Sequence, residues 1–481
     1  MSDGAGLSEE LEDALADHRR GDTDRAGDLV VNRDSGHVGD EVILRGRNLS
    51  PGETYDLAWQ RVEGSWGVLE ANEVVGPQYR SHMETVATVT ADEDGAFDEP
   101  FVVPEDYGSN HTIELRADGT TVDRTAFEIY PHFELENETA PLGDFFTVRG
   151  YGIGPNPVRN NFQLSWDLGT VGFVTGVKNG GTATARIRAV GPVGAHDLRV
   201  WRSYKGFPFL QSETQSEFGP VGRDTQNEWT VEVTEPDSPP EPVWTERMPS
   251  ESPLPVHYPE IDEDTGAELT ITPTSGPVGT QAIVQGEGFP ANERVDLVWH
   301  RHDGKRIEGT SITAQPRPEK LPSVETDGDG TFSTDVEIPS DRGASRPITA
   351  VVGGRSVAIT GFMLQPSVRT FSPQSGTRGT EIDVEITGTG WTLYENTHFL
   401  VYDNKMLGYF CGNSDAGEDG VVHLNFSAAG DPGYHFIDVY PTIFETKDDE
   451  KGFECKPHLS YVDNHPVRPL PAHHFAFEIT E

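Results

Sequence analysis

Short runs of alternating apolar and polar residues recur along the whole chain, as in EVILRG from Glu41 to Gly46 and QAIVQG from Gln281 to Gly286. A period of two puts one set of side chains on a core and the other in water, so these runs predict half-buried strands. Glycines, prolines and Asp-Gly pairs bound them, which ends each strand in a tight turn. The expected fold class is all-β. The exception is a short N-terminal helix over Glu9 to Arg20, capped by Ser8, with acids in its first turn and His18, Arg19 and Arg20 in its last.

The pattern also repeats at long range. SGHVGDEVILRGRNLSPGETYDLAW, from Ser35 to Trp59, aligns without a gap with SGPVGTQAIVQGEGFPANERVDLVW, from Ser275 to Trp299. Here the glycines of S-G-x-V-G are expected where the chain turns with positive φ. Both stretches continue through an acidic Asp-Gly turn and an inward aromatic, Phe97 or Phe332, and close at Pro131 or Pro366. The segments that follow match each other: LSWDLGTVGFV from Leu164 with LVYDNKMLGYF from Leu400, and AVGPVGAHDLRVW from Ala189 with AAGDPGYHFIDVY from Ala428. The expected organisation is an N-terminal arm (1–28), unit A1 (29–131), unit B1 (132–235), a Pro-rich linker (236–266), unit A2 (267–366) and unit B2 (367–481). Four tandem sandwiches thus form an A-B-A-B duplication, whose two blocks either pack on one another or extend as a rod. The linker's prolines predict an extended, polyproline-like spacer.

TPTSGPVGTQAIVQGEGF (Thr272 to Phe289) and FSPQSGTRGTEIDVEITGTGW (Phe371 to Trp391) resemble the opening of IPT/TIG-type immunoglobulin-like domains. APLGDFFTVRGYGI (Ala140 to Ile153) and Ser35 to Leu49 resemble it too. The resemblance implies an immunoglobulin-like β-sandwich for each unit. It brings no catalytic residues, and implies the roles of spacer, adhesive module or accessory domain.

Charge narrows the choice of partners. The 481 residues carry 36 Lys plus Arg against 80 Asp plus Glu, a formal net charge of -44, and only eight of the basic residues are Lys. Such self-repulsion is tolerable where salt screens it, with a Debye length of about 3 Å at 1 M. The composition resembles that of proteins from salt-loving archaea and their viruses. It argues against nucleic-acid binding, because no basic patch is available to neutralise phosphates. Neither a signal peptide nor an apolar run long enough for a membrane helix is evident, so no membrane insertion is expected.

Candidate chemistry is sparse. No nucleophile elbow or phosphate-cradling loop is present, and no catalytic residue or cofactor is assigned. DEDG at Asp92 to Gly95 and DGDG at Asp327 to Gly330 could supply calcium ligands, but both read first as hairpin turns. His111, His196 and His435 recur after a Gly and before a strand, the expected setting of a structural histidine bonded to a neighbouring loop. His458, His465, His473 and His474 with Asp463 are the candidate transition-metal ligands. Cys411 and Cys455 either form one disulfide or stay free. Trp59, Trp166, Trp299 and Tyr402 are expected in the cores. Sequons at Asn48, Asn110, Asn137 and Asn425 leave glycan attachment open.

The expected function is that of a non-enzymatic structural or interaction protein, adapted to high salt, with protein partners in a larger assembly. A virion or cytoplasmic assembly is the first expectation for its location, and the cell surface the second. The alternatives are a glycan-binding or glycan-processing protein, with its site in WDLGTVGF (166–173) and YDNKMLGYFCG (402–412) of the B units, and a metal-binding accessory subunit.

Overall fold

The computed structural model describes residues 28–68, 74–154, 162–202, 225–246, 259–306, 312–389, 397–411, 420–447, 450–457, 459–460 and 472–481. The helix expected at Glu9 to Arg20 lies outside them. Alternation becomes burial as expected: along Glu41–Arg47, Val42, Leu44 and Gly46 are buried while their neighbours are exposed or half-buried. Gln281–Glu287 repeats the pattern.

In A1, a three-stranded sheet (Asp28–Val31, Glu41–Arg47, Phe97–Val102) packs on a five-stranded one, in the order Ser35–Gly36, Thr120–Ile129, Asn110–Ala117, Thr54–Val68, Val74–Thr90. One core containing Leu44, Leu57, Trp59, Phe101, Ile113 and Phe127 lies between them. A2 repeats this order strand for strand, with Trp299 and Phe362 in its core. B1 and B2 also pair a three-stranded sheet with a larger one. In every unit the opening segment switches sheets. It runs antiparallel to one strand and then, two or three residues long, parallel to the last strand, as Ser35↔Glu128, Thr139↔Glu232, Ser275↔Met363 and Ser375↔Glu478 show. These are tandem immunoglobulin-like sandwiches.

The switch gives the two glycines of S-G-x-x-G separate tasks. Gly39, Gly279 and Gly379 take φ of 82°, 82° and 87°, as expected for a left-handed turn. Gly36, Gly276 and Gly376 do not have positive φ. A Cβ there would sit 2.5 Å from Asp40 Oδ2, Thr280 Oγ1 or Thr380 Oγ1, so the first glycine provides room, not rotation.

All four units share one internal fastener. His111 stacks on Trp59 at 4.7 Å, His196 on Trp166 at 4.9 Å and His435 on Tyr402 at 5.7 Å. Each histidine's Nε2 meets the carbonyl oxygen four residues earlier: Tyr107 at 2.7 Å, Pro192 at 2.7 Å and Asp431 at 2.8 Å. In A2 the position is held by Arg346, whose Nε donates to the Arg342 carbonyl at 3.0 Å. A carboxylate completes each set. Asp167 and Asp403 take Nδ1 of His196 and His435 at 2.7 and 2.6 Å. Burial and this bond pull His435 in opposite directions, and the stronger effect, the bond to Asp403, raises its pKa. In the A units the carboxylate instead accepts the indole N–H, Trp59 to Asp106 at 3.0 Å and Trp299 to Asp341 at 2.8 Å. Asp341 lies 3.3 Å from Arg346, with both side chains fully buried. Burial pushes the Asp106 carboxyl up, against the opposing pull of His111 and the Trp59 bond.

The two A units should therefore respond differently to loss of the carboxylate. Asp341→Ala removes the counter-charge 3.3 Å from the fully buried Arg346 guanidinium and should cost about 3–5 kcal/mol, whereas Asp106→Ala removes the acceptor of the buried Trp59 indole N–H and should cost about 1–3 kcal/mol. Hydrogen exchange of the Ala344–Val352 and Asn110–Ala117 amides reads the two losses separately.

Candidate functional site

The densest buried polar chemistry lies where B1 meets B2. In the Ala183–Arg188 strand, Ala183, Ala185 and Ile187 enter the B1 core, which turns Thr184, Arg186 and Arg188 outward. In Phe145–Tyr151 the same alternation turns Phe145 outward. This face lies against the Gly433–Lys447 and Ala472–Ile479 strands of B2, and Phe436, Tyr440, Ala472 and Ala476 join the B1 core cluster. Phe475, Phe477, Ile437 and Val439, pointing the other way, fill B2's own core.

Asp438 sits at the centre, with no exposed surface. Arg188 grips it with Nε at 2.9 and 3.2 Å and Nη2 at 2.7 Å, and His474 Nδ1 approaches at 2.6 Å. Burial alone would raise the Asp438 pKa. The Arg188 charge and the His474 bond outweigh it, and the carboxyl ends below its ordinary value. The Arg188 guanidinium is itself held between the rings of Phe145 at 4.6 Å and Phe436 at 5.1 Å, and donates to the Gly143 carbonyl at 2.9 Å. Asn404 Nδ2 caps the Arg188 carbonyl at 2.7 Å.

The linker takes part. Val243–Glu246 adds an antiparallel edge strand to B2, Val243↔Phe475 through Glu246↔Ala472, so this stretch is a strand and not the polyproline-like spacer expected from its prolines. Trp244 stacks on His474 at 4.6 Å, and Glu246 binds Arg186 at 2.8 Å. A second tie joins the units through the backbone: Leu459 N–H to the Phe173 carbonyl at 2.7 Å, with Ser460 Oγ bridging Thr175 N–H and C=O.

The contact is not twofold. Asp438 aligns with Arg199 of B1, and Arg188 with Ser427 of B2, so the two units present different faces to each other. The B2 face equivalent to B1's arginine face carries Glu381, Asp383, His423, Asn425 and Ser427, all exposed. One face is built for contact and its copy for water.

Of the metal candidates, His473 and His474 are the two within the described residues; His458, His465 and Asp463 lie outside them. Neighbours on one strand point to opposite faces. His474 accordingly meets Asp438, while His473 Nδ1 meets Thr245 Oγ1 at 3.2 Å. Among the described residues, no three His, Cys, Asp or Glu side chains gather as metal ligands. Cys411 and Cys455 fall on the Lys405–Cys411 and Glu450–Pro457 strands, and their side chains lie outside the described set. Asp92 and Asp327 cap their own turns: Oδ1 accepts the N–H of Asp94 and Ala96, or of Asp329 and Thr331. Trp166, Phe173 and Tyr402 are buried, so the B segments offer no sugar platform at these rings. Among the sequons, Asn137 binds the carbonyls of Thr139 and Phe145 and accepts the Thr147 N–H, whereas Asn48 lies exposed at a corner. The fastener of A2 escaped the histidine motif because Arg346 replaces the histidine. Aligning GASRPITA with GSNHTIEL, both following an Asp-x-Gly corner, would have found it.

No protein-family model matches the chain, and no curated protein does. Among solved structures it is similar to the tetra-tandem repeat in the extending region of a large adhesion protein, at 10% identity over 95% of this chain and 100% of that one, with a TM-score of 0.18. It is similar to invasin, a bacterial integrin-binding protein, at 9% identity over 94% and 79%, TM-score 0.20. It is also similar to a Salmonella alpha-2-macroglobulin, at 10% identity over 94% of this chain and 31% of that one, TM-score 0.19. Overlap this low decides nothing, and the fold rests on the strand pairing described above.

Arg188→Met keeps the packed stem but leaves Asp438 buried without its cation, and should cost about 3–5 kcal/mol, read from denaturant unfolding monitored at B1 and B2. The acid limb is specific too. The Asp438 pKa is lower folded than its unfolded value of about 3.9. Its stabilisation is therefore complete above that pH and is lost as pH falls through the folded value. Wild type should lose stability there that Asp438→Asn never had.

Proposed function

We propose that this is a non-enzymatic structural and interaction protein: IPT/TIG-type sandwiches held in fixed relation to one another, working in concentrated salt as part of a virion or surface assembly. The observation that carries the reading is the Arg188–Asp438–His474 network. The most deeply buried charged groups at the B1–B2 contact bond each other across the unit boundary, which is the chemistry of a joint. The A units supply reach. Beyond Trp59, the Thr54–Val68 strand pairs only with Val74–Thr90 among the described strands, making a two-stranded arm, and Arg294–Arg306 with Ile312–Glu325 makes another. The outer strand of the second arm carries Pro316, Pro318 and Pro322, which cannot donate to an added strand and protect the edge against unwanted pairing.

Affinity capture from a native extract in molar salt tests the role. Stoichiometric recovery with particle or envelope proteins is expected; recovery of the chain alone, carrying a turned-over small molecule, would contradict it. The salt adaptation has its own readout. Unfolding stability should rise steadily from about 0.2 M to about 2 M KCl as screening removes self-repulsion, and a flat or falling profile refutes it.

A further inference from the structure

One cleft runs against the acidic balance of the chain. A cleft of about 570 Å³ opens between the A1 arm and the 176–181 loop of B1, and Arg61, Arg80, His82 and Lys178 line it with only two carboxylates, Glu63 and Glu84. The whole chain carries 36 basic to 80 acidic residues, so three basic residues against two acids in one cleft run counter to it. The walls are fixed. Arg61 is held by Glu84 at 2.9 Å and by the Glu105 carbonyl at 2.6 Å. The B1 loop is locked on by the Tyr107 hydroxyl, which donates to the Val177 carbonyl, and by Thr182 bonded to Glu105. A Cβ on Gly181 would lie 2.8 Å from Tyr107 Cα, so only glycine permits this approach. Arg80 faces Glu63 across the strand pair, yet has no ion pair among the described residues. Lys178, on the B1 loop, is exposed and lines the other wall of the cleft.

We infer that this cleft binds the oxyanion groups of an acidic saccharide, sulfate or uronate, with Arg80 and Lys178 as its principal anion contacts. Volume and lining choose the class: the cleft falls within the roughly 300–1,000 Å³ of small-molecule sites, while Val62 is its one apolar side chain. A polar body bearing anionic groups suits such a lining better than an apolar ligand or a lone ion. In concentrated salt only direct contacts survive screening, and an arginine fork against an oxyanion is such a contact. The inference does not depend on the assembly role.

Calorimetric titration of the full chain at one fixed ionic strength tests it, with a disulfated disaccharide, a uronate disaccharide, the unsulfated neutral disaccharide and inorganic sulfate as probes. At least one acidic disaccharide should bind, the neutral one should not, and Arg80→Gln or Lys178→Gln should each weaken binding at least about tenfold, the scale of one charge-assisted hydrogen bond. Arg317→Gln, on the corresponding arm of A2, should leave it unchanged. Unaltered binding in both cleft variants, or no binding of either acidic disaccharide, overturns the site. Inorganic sulfate binding as tightly as the disaccharides overturns the saccharide assignment. Unchanged melting of the variants shows that they remain folded.

Discussion

A carboxylate with no exposed surface must be given a counter-charge and hydrogen bonds, or it will not stay ionised inside a protein. Asp438 imposes that requirement at the centre of the B1–B2 contact, and three separate parts of the chain meet it. B1 supplies Arg188 from a strand that would otherwise face water, B2 supplies His474, and the linker brings Trp244 to stack on that histidine. Each contribution then restricts its neighbours. Phe145 must turn outward to cover Arg188, the linker must run as a strand to deliver Trp244, and Asn404 must aim its side chain from its turn at a carbonyl of the other unit. Two homologous units thereby become unequal partners, one giving the cation and the other the anion.

Within each unit a smaller version of the same physics recurs. An aromatic ring on a central strand, a nitrogen base stacked on it or lodged beside it, a carboxylate and a carbonyl four residues back together tie the loop to the sheet. The parts exchange without loss of the device: histidine becomes arginine in A2, and tryptophan becomes tyrosine in B2. What is retained is the bond to the carbonyl four residues back and a carboxylate that takes one N–H of the set.

Much of the fold was legible because strands advertise themselves locally. Alternation marked Glu41–Arg47 and Gln281–Glu287, and the inward rings Trp59, Trp299, Trp166 and Tyr402 fell at strand positions that the repeats made easy to read. The role of Gly36 and its copies was misread, because a glycine required for room looks the same in sequence as one required for positive φ. The joint was not legible at all. Arg188 and Asp438 are 250 residues apart, and in a chain with 80 acids no local feature separates the one carboxylate that will be buried. The linker strand was hidden for the opposite reason: prolines on both sides of Val243–Glu246 masked four residues whose pairing partner lies in the last strand of the chain. His473 and His474, adjacent in sequence, lie on opposite faces of their strand and meet different partners, Thr245 and Asp438, while the other three candidate ligands lie outside the described residues.

The central claim is that the two A-B blocks form one body because their B units share a core and a buried ion pair. Producing residues 1–246 and 259–481 as separate chains and mixing them in molar salt tests it most directly. The account predicts a stable one-to-one complex by light scattering, lost when the first chain carries Arg188→Met. Two halves that fold yet elute separately would contradict it.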